Sequence, residues 1–198
     1  MNCKRRAPSG ALLASIFSVI MRRMETTPPW YVLTGGPCAG KTTTIDALAK
    51  RGNPVLAEPA RLIIDEKLAA GHTIEKVVTD PDWLPSVVRR AVAQEAALPQ
   101  GELFFLDRAA PDSLAYYRHF GRAPDKDLEA GLVKAKYRKV FLLDLIDFRN
   151  DQARHEDPEE AEILHRLIRE AYEGLGYETI PVPVLEVEAR ADYILARL

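Results

Sequence analysis

A chain of 198 residues, 47% hydrophobic and 28% charged, has enough apolar surface to bury one sizeable core and is neither disordered nor fibrous. A formal net charge of −2 supplies no positive field for nucleic acid or an anionic membrane surface, so neither is expected as a partner. Two cysteines, Cys3 and Cys38, cannot build a disulfide framework or a metal site, which fits a reduced, cytoplasmic setting.

The first 24 residues stand apart. Lys4, Arg5 and Arg6 precede an apolar run from Ala11 to Ile20, and Arg22 and Arg23 follow it. The pattern imitates an export signal, yet the run is shorter than the roughly 20 residues of a membrane span, and no small-residue cleavage site follows. The expectation is a loose or helical extension over 1–24, with Met21 or Met24 as alternative natural starts. The working domain is expected over 25–198.

Trp30–Thr34 is a short apolar, β-branched run of the kind that forms a buried strand. It leads into Gly35-Gly36-Pro37-Cys38-Ala39-Gly40-Lys41-Thr42-Thr43, which fits the G-x-x-x-x-G-K-[ST] phosphate loop without a mismatch. From Thr42, apolar Ile45, Leu48 and Ala49 at helical spacing predict a helix. Strand, loop and helix in this order suit one chemistry. Glycines let successive backbone N–H groups turn inward, and the helix N-terminus adds the positive end of its dipole. Lys41 then reaches the β- and γ-phosphates and the Thr42 hydroxyl holds Mg²⁺, so the chain is expected to bind a nucleoside triphosphate.

Arg51–Pro54 is a stop-and-turn signal, and Pro54–Ala57 predicts a second strand ending at Glu58–Pro59. A carboxylate there can deprotonate or orient an acceptor hydroxyl, or it can simply cap the next helix, predicted over Ala60–Ala70. Arg61 lies close enough in sequence to join an acceptor site. Asp80–Pro81 reads as the start of a helix running to Leu98, with Val87, Val88, Ala91, Val92 and Ala96 on its apolar side. Glu102–Leu106 is the most apolar short run, a buried strand that ends in Asp107–Arg108. Asp107 can reach the metal held by Thr42, and Arg108 beside it is a fork-shaped anion clamp. Pro111–Asp112 opens a helix to about Phe120, after which a polar stretch containing Gly and Pro reads as a connection. Trp83, Tyr116, Tyr117 and Arg118 are candidates for an acceptor pocket, although aromatics at helical spacing are more often core.

Lys139–Leu143 predicts the next strand, followed by a charged connection over Asp144–Asp157. Arg149 and Arg154 within it suit a mobile lid that closes positive charge over a transferring phosphoryl group. His155 has no company of other ligands, and His72, His119 and His165 are scattered without a pattern. Asp157–Pro158–Glu159–Glu160 is an N-cap, a first-turn proline and first-turn acids. Ile163, Leu164, Leu167, Ile168, Ala171 and Leu175 give the following helix one apolar face, ended by Gly174 and Gly176. Tyr177–Val182 predicts a last strand and Val187–Leu198 a closing helix. Strands alternating with helices imply a parallel sheet covered on both faces, with ligands beyond the carboxyl ends of its strands. Gly35, Glu58, Asp107 and Asp144 fall at those ends.

Several of these stretches together resemble the AAA-type domain family of small P-loop ATPases and kinases, which includes a ribosylnicotinamide kinase domain. They are the phosphate loop over 35–43, Glu-Pro-Ala-Arg (58–61), Phe-Leu-Asp-Arg (105–108), Pro-Asp-Ser-Leu-Ala-Tyr-Tyr (111–117), Arg149–Asp157 and the tail over 175–184. Glu58–Pro59 and Asp107–Arg108 are also similar to motifs of deoxynucleoside and thymidylate kinases. The resemblance implies a three-layer α/β fold with a five-stranded parallel sheet in the order 2-3-1-4-5. It also implies an acceptor hydroxyl near Glu58, and metal and phosphate handled by Asp107 and Arg108. A nucleoside-monophosphate-kinase pattern would place adenine beside Pro183–Val184. The deoxynucleoside-kinase lid is richer in arginine than 149–156. The function expected is transfer of the ATP γ-phosphoryl, with Mg²⁺, to a small hydroxyl- or phosphate-bearing acceptor by a monomer or homodimer. The alternative is a P-loop ATPase that acts as a regulatory or binding switch with no small-molecule acceptor.

Overall fold

The computed structural model describes residues 27–146 and 157–198. Arg149, Arg154 and the extension over 1–24 lie outside the described residues. The strands are β1 (Trp30–Thr34), β2 (Val55–Leu56), β3 (Phe104–Asp107), β4 (Lys139–Leu143) and β5 (Thr179–Val182). The helices are α1 (Lys41–Lys50), α2 (Pro59–Ala69), α3 (Ile74–Val78), α4 (Trp83–Ala97), α5 (Ala110–His119), α6 (Lys126–Lys134), α7 (Pro158–Gly174) and α8 (Val187–Leu195).

All five strands run parallel in the order β2-β3-β1-β4-β5. β1 is central because every one of its residues is apolar or paired and all five are buried. Its register sets Val32 against Leu106 on one side and Val140 on the other. Successive side chains alternate between faces. Tyr31, Leu33, Phe105, Phe141 and Leu143 meet Ile45 and Leu48 of α1 and Ile194 of α8 on one face. Trp30, Val32, Leu106, Val140 and Leu142 meet Ala115 of α5 and Ile168 and Tyr172 of α7 on the other. Burying each such aliphatic or aromatic side chain contributes about 1.5–3 kcal/mol, so these two cores fix the three-layer fold. A third cluster, Leu84, Val88, Leu114, Tyr117 and Leu128, joins α4 and α6 to the α5 side.

Two local readings change, and one short helix is added. The stretch read as a connection contains α6, whose Asp125 caps the helix by accepting the Leu128 N–H at 2.9 Å. Only Leu128 and Gly131 of its nine residues are buried, with Leu132 packed beside them, so its apolar face is narrow. α3 is a single short helix capped by Thr73. α4 begins at Trp83 rather than Asp80, because Asp80 accepts the Asp82 N–H at 2.8 Å and closes a turn instead. No described helix is long and apolar enough to cross a membrane.

Candidate active site

The phosphate loop leaves β1 at Gly35, where φ is +142° and a Cβ would stand 2.7 Å from the Leu143 carbonyl oxygen. Gly36 is confined differently: a Cβ there would stand 2.6 Å from the Ala161 carbonyl oxygen of α7. Its N–H donates to His165 Nδ1 at 3.3 Å. Burial lowers the His165 pKa, which keeps the ring neutral and the acceptor available. A histidine with no sequence pattern is thus part of the loop's support. Cys38 and Gly40 both take positive φ, and the chain enters α1 with the Thr43 and Thr44 hydroxyls donating to the Gly40 carbonyl oxygen at 2.9 and 2.8 Å. Pro37 and Ala39 complete the loop, with Ala39 buried in the α1 core. Thr42 sits exposed on the first turn of α1, where a helix N-terminus favours anions.

Lys41 lies across this loop. Its ammonium donates to the Gly36 carbonyl oxygen at 2.7 Å and only 8% of the residue is exposed. Burial, and then the neighbouring Arg108, lower its pKa to about 7, against the pull of Asp107, Glu58 and Asp112. An anion in the loop would restore the charged form.

The end of β3 brings the second group of polar side chains. Asp107 pairs with Leu33 in the sheet and is 5% exposed; its Oδ1 is buried with no hydrogen-bond partner. Burial, then the charge of Glu58, raises its pKa to about 6. Arg108 adopts φ +66°, a left-handed conformation that costs a non-glycine residue on the order of 1 kcal/mol or more. Its guanidinium is tied down on several sides. Nε donates to Glu58 Oε1 at 2.8 Å, and Nη1 donates to Asp112 Oδ1 at 2.9 Å and the Gly35 carbonyl oxygen at 3.1 Å. The Tyr116 ring lies 5.7 Å from Cζ.

Asp112 is the hub of this network, and sequence reasoning saw only a helix-opening residue. Besides Arg108, it accepts from the Thr34 hydroxyl at 2.5 Å, the Ala109 N–H at 3.0 Å and the Tyr172 hydroxyl at 2.6 Å. No local signal could reveal this, because Thr34 and Tyr172 come from β1 and α7. A cavity of about 160 Å³ opens beside the cluster. Glu58, Arg108 and Asp112 form its polar end, and Trp83, Leu84, Val87 and Tyr116 line its apolar body.

The structure therefore brings Gly35, Lys41, Glu58, Asp107 and Arg108 together, with Trp83 and Tyr116 in the cavity wall. Arg61 does not join them; it is exposed on α2 and pairs with Asp65 at 3.1 Å. Tyr117 turns away to donate to Asp125, and Arg118 is exposed. Pro183 is half-buried directly after β5 and precedes exposed Val184 and Leu185.

A family model described as the AAA domain matches residues 30–190. The chain belongs to that family. The AAA domain is similar in structure to the NadR protein solved with NAD and AMP-PNP, at a TM-score of 0.59 and 14% identity. The match covers 97% of this chain and 62% of NadR, so the AAA domain spans less than two thirds of that protein. It is also similar to deoxyadenosine kinase from M. mycoides solved with dCMP and dCDP (TM-score 0.56, 15% identity, 85% of this chain and 97% of that one). Thymidylate kinase from Candida albicans matches at a TM-score of 0.50 and 14% identity, over 86% of this chain and 91% of its own. These likenesses establish the P-loop kinase-like fold. No curated protein matches the chain by sequence.

Proposed function

We propose that this AAA domain is an ATP-dependent phosphotransferase that phosphorylates a hydroxyl group on a small molecule seated in the Glu58–Arg108 cavity. One observation carries the reading: the Glu58 carboxylate stands between the phosphate loop and an apolar cavity, tied through Arg108 to the loop's own Gly35 carbonyl. A carboxylate facing an apolar pocket favours an acceptor site over a switch ATPase. In the reaction, the acceptor oxygen bonds to the γ-phosphorus while the bond to the β-phosphate oxygen breaks and ADP leaves. Glu58 takes or orients the hydroxyl proton, and Lys41 draws off charge from the transferring group.

The residues present fit Mg²⁺. The buried, unpartnered Asp107 Oδ1 and the Thr42 hydroxyl are hard oxygen donors, and Mg²⁺ usually combines one or two carboxylates with phosphate oxygens and waters. Among the described residues no group of three or more His, Cys, Asp or Glu side chains forms a separate metal cage. When bound, the ion would neutralise charge on the phosphates. Holding it is the role we assign to Thr42 and Asp107.

The charge of the cavity narrows the acceptor. Among the described residues, Glu58 and Asp112 face a single lining cation, Arg108, whose guanidinium is already engaged by both and by Gly35. A phosphate on the acceptor would meet excess negative charge. An uncharged or cationic alcohol with a flat, apolar body that packs on Trp83 and Tyr116 fits better. ATP turnover with Mg²⁺ is measured with and without pools of neutral hydroxyl compounds and of monophosphates. Strong stimulation by a neutral fraction is expected. Steady hydrolysis indifferent to every pool would replace the kinase reading with the switch ATPase.

A further inference from the structure

α8 carries an arginine that faces the back of the phosphate loop. Arg190 is 2% exposed, and Nη1 donates to the Ala39 carbonyl oxygen at 2.8 Å. Nε and Nη2 are buried with no hydrogen-bond partner among the described residues. The guanidinium fills the space beside Gly40: a Cβ there would stand 2.5 Å from Nη1 and 3.6 Å from Cζ. The helix bearing Arg190 is fixed against α1, where Arg51 donates to Glu188 and Asp192. Gly40 is thus required twice, once for its φ of +73° and once to admit Arg190.

Two physical consequences follow. A trans peptide holds its C=O and N–H on opposite sides. With the Ala39 carbonyl turned to Arg190, the Gly40 N–H is directed away from α8. A charge-assisted bond of this kind is also roughly twice as strong as a neutral one, so it fixes that peptide firmly. The second consequence concerns charge. A buried guanidinium with two unsatisfied N–H donors is costly in the empty protein, and a polyphosphate nearby offsets that cost.

We propose that Arg190 is a positioning residue for polyphosphate: it sets the Ala39–Gly40 peptide so that the Gly40 N–H is offered to the anion, and its buried charge, with two N–H donors unsatisfied and only Asp144 opposing it among the described residues, favours the loaded loop. This rests on the phosphate-loop reading of residues 35–42. A packing role alone would lower melting temperature and leave the affinity of the folded protein unchanged.

The test is calorimetric binding of inorganic tripolyphosphate and of ATP, each with Mg²⁺, to the full chain and to Arg190→Met and Arg190→Lys. It is run at a temperature where circular dichroism shows each protein folded. Arg190→Met is expected to weaken both ligands by the same factor, about ten- to a hundredfold. Arg190→Lys keeps the charge but loses the fixed fork, and should recover part of the loss. If Arg190→Met does not fold, Arg190→Lys carries the comparison alone, with a loss of roughly three- to tenfold for both ligands. Unchanged affinity in the folded variants overturns the inference. A loss confined to ATP also overturns it, because the guanidinium would then serve the base or ribose. Failure of the unaltered protein to bind either ligand would instead overturn the phosphate-loop reading itself.

Discussion

Replacing Asp112 tests whether one buried carboxylate holds the candidate site together. In Asp112→Ala, four donors lose their acceptor: the Thr34 hydroxyl, Arg108 Nη1, the Ala109 N–H and the Tyr172 hydroxyl. Arg108 keeps Glu58 and the Gly35 carbonyl, so its charge is only partly compensated. Removing one partner of a buried ion pair costs about 3–5 kcal/mol. Each stranded donor would add about 1–3 kcal/mol if it stayed dry. Because the cavity beside the cluster can admit water, the lower figure is the better guide, and a net loss of about 3–5 kcal/mol is expected. For a chain of this size that lowers the melting temperature by roughly 6–20 °C. Asp112→Asn keeps the shape and one carbonyl acceptor and should fall between the two. Urea unfolding followed by circular dichroism gives the loss, and turnover on the folded fraction gives the functional arm. There, a loosened Arg108 releases Glu58 and should raise the KM for the acceptor more than it raises that for ATP. A loss below about 1 kcal/mol, the size typical of an exposed ion pair, would refute the hub.

Four further outcomes follow from the site. Because the Lys41 pKa is near 7 in the empty loop and a triphosphate needs the ammonium, binding should take up a proton above that pH. The Lys41 contribution to ATP affinity is then flat below about pH 7 and falls by up to roughly tenfold per unit above it, until the pKa of the complex is reached. Calorimetry in buffers of different ionisation enthalpy checks this, and proton-free, pH-independent binding would contradict it. Asp107→Asn should abolish Mg²⁺-dependent turnover without lowering stability at pH 7. The folded carboxyl has a pKa near 6, above its ordinary value, so the native state loses stability as pH rises through the interval between them, and the neutral amide escapes that penalty. A large drop in the melting temperature of Asp107→Asn would count against this reading. Finally, Arg61→Ala should leave turnover and melting unchanged, since its pair with Asp65 is exposed. Arg108→Lys, which cannot reproduce the guanidinium fork, should cut turnover at least a hundredfold; equal effects of the two would show that the tied fork has no special role.

The sequence alone determined the strand-loop-helix unit, the alternation of strands with helices and the polar residues at strand ends. Each of these depends on signals within about ten neighbouring residues: glycine spacing, an apolar run, a cap. β1, ending at Thr34, coincides with its apolar run, and Asp107 lies at the end of β3 where the run predicts it. α6 escaped the same reading because its apolar face is narrow, Leu128 and Gly131 with Leu132 beside them in an otherwise polar stretch.

The tertiary structure alone decided which polar residues meet. Arg61, two residues from the Glu58–Pro59 strand end, follows the turn of α2 out to solvent. Arg108 reaches Glu58 across 50 residues and Thr34 reaches Asp112 across 78. His165 supports Gly36 across 129 residues, and Arg190 holds Ala39 across 151. Sequence periodicity reports which face of an element is apolar, but not which element packs on that face. Only when the sheet order set α5 and α7 on one side of β1, and α1 and α8 on the other, did these side chains acquire their partners.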